Sequence, residues 1–160
     1  MIEVVVDFLR ETFSPHTGVF LAGALPVTEL RAAIPLGISL GLRPWEVFFY
    51  AVLGNIAPVP ILLTLLPRLM ECLSRTSWLG RGLDWCINRT LKRSERVEKL
   101  GAIGLMLFTV IPLPGTGAWS ASLAAVLFRI SPHLALPSIV AGVVIAGVII
   151  TALSVGLLLL

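Results

Sequence analysis

The sequence predicts an all-α integral membrane protein with two inverted repeats, each a broken re-entrant helical hairpin followed by a transmembrane helix. Its composition, its apolar blocks and an internal offset of 88 residues predict this class. The chain is 57% hydrophobic and 13% charged, whereas soluble domains have about 45–50% apolar and about 25% charged residues. We therefore expect a single membrane domain over residues 1–160 and not a soluble core.

Apolar blocks at 18–42, 45–66, 100–128 and 132–160 set the order of the elements. Blocks 45–66 and 132–160 are long enough to cross the hydrocarbon core, which takes about 20 apolar residues. The other two are broken at their centres by prolines, with charges in one and glycines in the other, and each half has only about 10–13 residues, too few to cross alone. Both are predicted to be re-entrant hairpins. The alternative is four simple spans, kinked at the prolines, with both termini inside.

A shift of 88 residues places one half of the chain on the other. The matches are Leu25-Pro26-x-Thr28 on Leu113-Pro114-x-Thr116, Ala33 on Ala121, Pro44 on Pro132 and Gly54 on Gly142. We therefore assign repeat one to residues 18–66 and repeat two to residues 100–160. Each repeat has a broken block followed by a span.

The remaining segments are amphipathic or basic. Residues 1–15 are predicted to form an interfacial helix, because their apolar side chains fall on one side. Eight of the twelve basic residues lie in the segment 67–99, and the positive-inside rule places such a loop in the cytoplasm. Because the first span must end there, hairpin 18–42 enters from outside and hairpin 100–128 from inside. Inverted repeats of this kind put a binding site near the midplane between the broken segments.

Several function classes are not expected. The basic residues are segregated beside membrane spans, so we predict no nucleic-acid partner. The two cysteines fit no metal-ligand spacing, and neither a metal nor a cofactor is expected. The chain has no nucleophile and base at a recognisable spacing, so it is not predicted to be an enzyme; an intramembrane enzyme acting through Glu29 is the alternative.

The stretch IPLPGTGAW (111–119) places irregular backbone in an apolar block. In hydrocarbon such backbone survives only when it is buried in protein or lines a wet cavity. Pro114 removes a donor, and Gly115 and Gly117 permit backbone shapes closed to other residues. Thr116 is placed to cap the helix that begins near Ala118. The first free N–H groups of that helix would bind an anion or phosphate, or would be satisfied by carbonyls of the other hairpin.

The charged residues of block 18–42 are Glu29 and Arg31. Ionisable residues at membrane depth are functional candidates, and Thr28 is expected to cap the helix that they begin. We expect Arg31 to hold an oxyanion and Glu29 to bind a proton or cation. Alternatively the two charges merely hold the hairpin, although residues two apart point to different sides of a helix. Asn55, in the middle of the first span, is a further candidate.

Three stretches, TELRAAIPLG (28–37), GNIAPV (54–59) and IPLPGTGAW (111–119), resemble the prokaryotic small multidrug export proteins. The resemblance covers most of the chain and implies a multi-pass protein of the prokaryotic inner membrane that exports small drugs. LPVTE (25–29) is similar, more distantly, to a hairpin motif of the DedA superfamily, which implies lipid translocation and a role for Glu29. The arginines that flank the second motif of that superfamily are missing here.

These features predict a transporter for a small amphiphile or a lipid-linked phosphate, coupled to a proton or another ion. The alternatives are an exporter of lipophilic cationic drugs and a non-transporting scaffold that acts through the basic loop. Membrane lipids are expected partners. A homo-oligomer is expected as well, because one protomer of 160 residues offers little surface around a cavity. Arg129 is expected only to extend its charge to the interface.

Overall fold

The computed structural model describes residues 14–73, 95–111 and 116–158, and this part of the chain is helical, with no strand. Its helices are α1 (Pro15–Ala24), α2 (Glu29–Ser39), α3 (Pro44–Ile56), α4 (Val59–Leu73), α5 (Glu95–Val110), α6 (Ala118–Leu127) and α7 (Pro132–Leu158). The predicted all-α class is confirmed. The predicted interfacial helix 1–15 falls almost entirely outside the described residues, as does most of the basic loop 67–99.

Within the described residues, two stretches are long and apolar enough to cross a membrane, Pro44–Leu69 and Pro132–Leu157. Only 33% and 28% of their most apolar windows are buried, so most of these apolar side chains face outward. On α3, Trp45, Phe49 and Leu53 are exposed at intervals of four residues. An exposed apolar face of this extent suits lipid and not water, and the protein is a membrane protein.

The first of these stretches is interrupted. Helix α3 ends at Ile56 and α4 begins at Val59, whereas the sequence predicts one continuous span over 45–66. Pro58 and Pro60 have no N–H to donate to the preceding turn, and proline rings crowd the carbonyl four residues before them. The prolines therefore divide the predicted span into two helices.

The described residues of 1–58 and 143–160 form one compact unit, hereafter the first unit. Helices α1, α2 and α3 pack against one another in it. The backbone of Gly54 on α3 lies against the carbonyl of Phe20 on α1, and a Cβ at Gly54 would be 2.9 Å from that carbonyl carbon. Gly147 on α7 similarly faces Val52. Small residues permit this close approach of helices, as is common in membrane proteins.

The described residues of 59–142 form the second unit. Helix α6 packs against α4 and α5 there. Gly142, near the middle of α7, meets α5, since a Cβ at this position would lie 2.6 Å from Thr109 Cβ and 2.8 Å from the Met106 carbonyl oxygen. Helix α5 is kinked at Gly101, where φ is 54° and ψ is −125°.

Local backbone structure recurs at the offset of 88 residues. Helices α2 and α6 both end in a Schellman motif, in which two N–H groups beyond the helix end donate to carbonyls of the last turn. The hydrogen bonds are Leu42 N to Gly37 O (3.2 Å) and Gly41 N to Ile38 O (3.0 Å), and then Ile130 N to Ala125 O (2.8 Å) and Arg129 N to Val126 O (3.1 Å). The offset found in the sequence thus relates equivalent backbone positions.

Candidate functional site

Two charged residues have backbone conformations that favour glycine. Among the described residues other than glycine, positive φ occurs at Glu29 (47°) and Arg129 (53°). A left-handed conformation costs an L-residue roughly 1–2 kcal/mol. The equivalent residues in the other half of the chain are Gly117 (φ 149°) and Gly41 (φ 78°). Because strained residues cluster at functional sites, Glu29 and Arg129 become candidates on backbone grounds.

Glu29 and Arg31 bring two opposite charges to the start of α2. The Arg31 side chain is half-buried, and neither residue is without an interaction partner. The expectation that residues two apart make poor partners stays a prediction, and it rests on the spacing of side chains on a regular helix. That rule assumes helical dihedral angles at both residues, and φ at Glu29 is 47°. The carboxylate also lies in the first turn of α2, where the helix dipole favours a negative charge.

The predicted cap of α2 by the Thr28 side chain is wrong, and Thr116 is not the N-cap residue of α6. Thr28 is the N-cap residue of α2 without a side-chain cap hydrogen bond, and the N-cap residue of α6 is Gly117. Each hydroxyl instead donates backwards, Thr28 Oγ1 to Ala22 O and Thr116 Oγ1 to Ile111 O. The last carbonyls of a helix lack intrahelical partners. The hydroxyls therefore tie the end of one helix to the start of the next.

Asn55 brings an unsatisfied acceptor into the first unit. Its side chain is buried at 2% exposure, and its Oδ1 has no hydrogen-bond partner. A buried acceptor left unpaired costs about 1–3 kcal/mol, so such an atom indicates a water or ligand donor. Thr151 Oγ1 on α7 is likewise buried without a partner. Sequence analysis missed it, because a threonine in an apolar helix often bonds the carbonyl one turn before it.

The predicted site residues are divided between the two units. Thr28, Glu29, Arg31 and Asn55 belong to the first unit, and Thr116 and Gly117 belong to the second. Pro114 and Gly115 lie outside the described residues. Over 14–73, 95–111 and 116–158, no three His, Cys, Asp or Glu side chains are grouped closely enough to hold a metal ion.

A cleft of about 670 Å³ lies in the second unit beside Arg129. Its lining residues are Gly101, Ala102, Leu127, Phe128, Arg129, Ile130, Ser131 and Leu134. Arg129 is thus the one charged residue in a mainly apolar lining. The cleft is not among the sites predicted from the sequence. The available signal was that the offset of 88 residues aligns Arg129 with Gly41, so an arginine stands where the other repeat has a glycine.

Comparison with known proteins identifies a family. A family model described as "Putative small multi-drug export protein" matches residues 29–149, which is more than half of the chain. The match begins at Glu29 and extends through most of α7. Comparisons with curated proteins and with solved structures gave no significant match.

Proposed function

Because this chain belongs to the small multi-drug export protein family, we propose that it is a membrane transporter for a small amphiphile or a lipid-linked phosphate, coupled to a proton or another ion. The observation that carries this proposal is the presence of two opposite charges, Glu29 and Arg31, at the start of α2, which we treat as one charge pair. Charges at membrane depth are costly and accompany substrate and ion pathways. The family and the apolar spans support transport, and the charge pair supports the choice of substrate.

The charge pair supplies a coupling mechanism. An ionised Glu29 carboxylate competes with a substrate anion for the Arg31 guanidinium, whose planar fork of donors suits phosphate. Protonation of Glu29 removes that competition, and an anion on Arg31 removes part of the attraction that keeps Glu29 ionised. By linkage each event favours the other. An anionic substrate is therefore carried together with a proton.

A lipophilic cationic drug is the second candidate substrate, because the family description names multi-drug export. Such a cation would compete with the proton for Glu29, because both bind the carboxylate. Binding of one would then release the other, and the cation would be exchanged against a proton. The direction of proton movement therefore distinguishes the two substrates.

Asn55 supports a polar contact within the same unit. Its unpaired Oδ1 accepts hydrogen bonds only, so it suits a hydroxyl or ammonium group of the substrate, or a water molecule that moves with it. An amide at this position would orient the substrate and would take no part in covalent chemistry. The proposed activity is therefore transport without catalysis.

We further propose that helix pairs α1–α2 and α5–α6 are re-entrant hairpins of two inverted repeats. Helices α1, α2 and α6 have 10, 11 and 10 residues. At 1.5 Å per residue each reaches about 15 Å, about half of the hydrocarbon thickness. The basic loop 67–99 would lie in the cytoplasm of a prokaryotic cell, and membrane lipids and further copies of this chain would be the partners.

Proton movement in liposomes tests the transport proposal. Purified protein is reconstituted with a pH-sensitive dye inside, and geranyl phosphate or tetraphenylphosphonium is added outside. We expect geranyl phosphate to acidify the interior above the rate in protein-free liposomes, and both E29Q and R31Q to abolish the difference. R43Q and E46Q are matched controls at the start of α3 and should retain the flux.

The other outcomes separate the alternatives. If tetraphenylphosphonium alone moves protons, in the outward direction, and only E29Q stops it, the protein is a cation exporter and the anion proposal fails. If neither compound produces a flux from properly folded protein, the transport proposal is wrong for these substrate classes. If cells with the E29Q and R31Q variants then behave as cells with the wild-type protein do, the alternative of a non-transporting scaffold is favoured.

A further inference from the structure

We propose that the cleft beside Arg129 is a binding site for one anionic phospholipid, with its phosphate on the Arg129 guanidinium and the start of an acyl chain along the apolar wall. The inference rests on the proposed membrane topology, in which Arg129 lies at the cytoplasmic face. It does not depend on transport by Glu29 and Arg31. A site for a structural or regulatory lipid would be separate from the proposed substrate pair.

The backbone at Arg129 is the first observation. Arg129 is the first residue beyond the C-cap of α6, with φ at 53° and its N–H donating to Val126 O. Glycine is usual at this position of a Schellman motif because it has no Cβ to strain. The equivalent motif of α2 does have glycine, Gly41, with φ at 78°. Arginine at this position is therefore unfavourable for the turn itself.

The charge of Arg129 offers a purely structural explanation for the arginine at this strained position. A cation near a helix C-terminus gains favourable interaction with the helix dipole, but any cation does so, and lysine would serve as well. The guanidinium adds a planar fork of donors that binds phosphate in a bidentate manner. A comparison of Arg129 with lysine therefore separates a dipole role from a phosphate site.

The cleft is the second observation. Its volume of about 670 Å³ falls within the range of about 300–1,000 Å³ that is typical of ligand pockets. Phe128, Ile130 and Leu134 offer apolar surface, and Ser131 adds a hydroxyl donor beside the charge. A charged group next to apolar walls matches a phospholipid, whose phosphate and acyl carbons are likewise adjacent. A free phosphate ion would leave the apolar walls without a partner.

The membrane side agrees with this ligand. In the proposed arrangement, hairpin α5–α6 enters from the cytoplasm, so Arg129 returns to that face. Anionic lipids give the cytoplasmic surface its negative potential. The basic residues of the loop 67–99, up to Lys99, lie on the same proposed side, whereas Arg129 is the one charged residue among those that line the cleft. An anionic headgroup in the cleft therefore has the Arg129 guanidinium to bind.

Lipid binding to the purified full-length chain tests the proposal. The protein in neutral detergent is titrated with phosphatidylglycerol, and bound lipids are counted by native mass spectrometry, with phosphatidylcholine as the reference lipid. We expect one phosphatidylglycerol to bind more tightly than the rest. R129G should weaken this binding about tenfold or more, as expected for loss of hydrogen bonds to a charged group, and R129K should fall between R129G and the wild type. R43Q, which removes an exposed arginine before α3, should bind as the wild type does.

A second variant tests the cleft without changing charge. Ala102→Phe places a large side chain in the cleft and should weaken phosphatidylglycerol binding although Arg129 is present. The melting temperature of each variant shows whether it is folded, and R129G, which relieves the strained turn, should remain so.

Three outcomes would overturn the proposal. Unchanged binding by folded R129G would remove Arg129 from the site, and unchanged binding by folded Ala102→Phe would remove the cleft. Equal competition by inorganic phosphate at the same concentration would show a site for free phosphate and not for a lipid.

Discussion

Gly54 lies at a close approach of α1 and α3, and its replacement by alanine should separate these helices. A Cβ at Gly54 would lie 2.9 Å from the Phe20 carbonyl carbon, and still closer to the carbonyl oxygen. Cβ atoms in real structures essentially never approach other atoms within 3.0 Å. The obstructing atoms belong to backbone, so no side-chain rotation relieves the contact and a whole helix has to shift.

The expected change in the free energy of unfolding follows from two opposing effects. Overpacking typically costs about 1–3 kcal/mol, occasionally more, whereas alanine in a helix interior gains up to about 1 kcal/mol over glycine. Because the contact is with backbone, we place the steric cost at the upper end. We expect Gly54→Ala to lower the free energy of unfolding by about 2 kcal/mol.

Unfolding in mixed micelles with increasing dodecyl sulfate, followed by far-ultraviolet circular dichroism, measures this difference. Gly156→Ala is the matched control, since Gly156 lies in α7 with nothing within 4 Å of an added Cβ. It should stabilise the protein by about 0.5–1 kcal/mol. Gly142→Ala also meets backbone, with 2.8 Å to Met106 O, and should destabilise. Equal effects of Gly54→Ala and Gly156→Ala would refute the packing argument.

Two further predictions concern buried polar side chains. Thr28→Val removes the hydroxyl that donates to Ala22 O and should lower the free energy of unfolding by about 1–3 kcal/mol. Thr28→Ser keeps a hydroxyl and should retain most of the wild-type free energy of unfolding. Wild-type stability of Thr28→Val in the same unfolding assay would contradict this role. Asn55→Leu removes the unpaired Oδ1 and should leave stability unchanged or raise it by about 1 kcal/mol, while liposome flux falls. A marked loss of stability with Asn55→Leu would show that the amide is structural.

The elements that depend on composition and on local backbone rules could be predicted from the sequence. Helices α3 and α7 begin at Pro44 and Pro132, as the aligned prolines indicate, because proline suits the first turn of a helix. Helix α6 begins at Ala118, as predicted from the glycines and prolines before it. Hydropathy does not change at Pro58, so the block 45–66 is predicted as one span, although Pro58 and Pro60 indicate a kink near Asn55.

The geometry of the candidate site could be predicted only in part. Glu29 and Arg31 stand out by charge, but the positive φ at Glu29 could not be predicted, because helix-based spacing rules assume that φ is negative. The capping prediction failed because Thr28 has two available partners, the N–H groups ahead of it and a carbonyl behind it. The choice depends on how closely α1 and α2 approach, which sequence does not specify.

Glu29 and Arg129 are informative because the fold alone would favour glycine at both. The helix dipole offsets part of the strain, since the carboxylate lies at a helix start and the guanidinium beyond a helix end, each gaining about 0.3–1 kcal/mol. This is less than the roughly 1–2 kcal/mol that a left-handed backbone costs. Gly41, the equivalent of Arg129, holds the same hydrogen-bonded turn without that cost. At Arg129 the remaining cost agrees with the proposed ligand, whereas Glu29 also has a partner within the described part of the chain. The two charges have opposite signs and suit different groups, and we propose a proton or cation at Glu29 and an anion at Arg129.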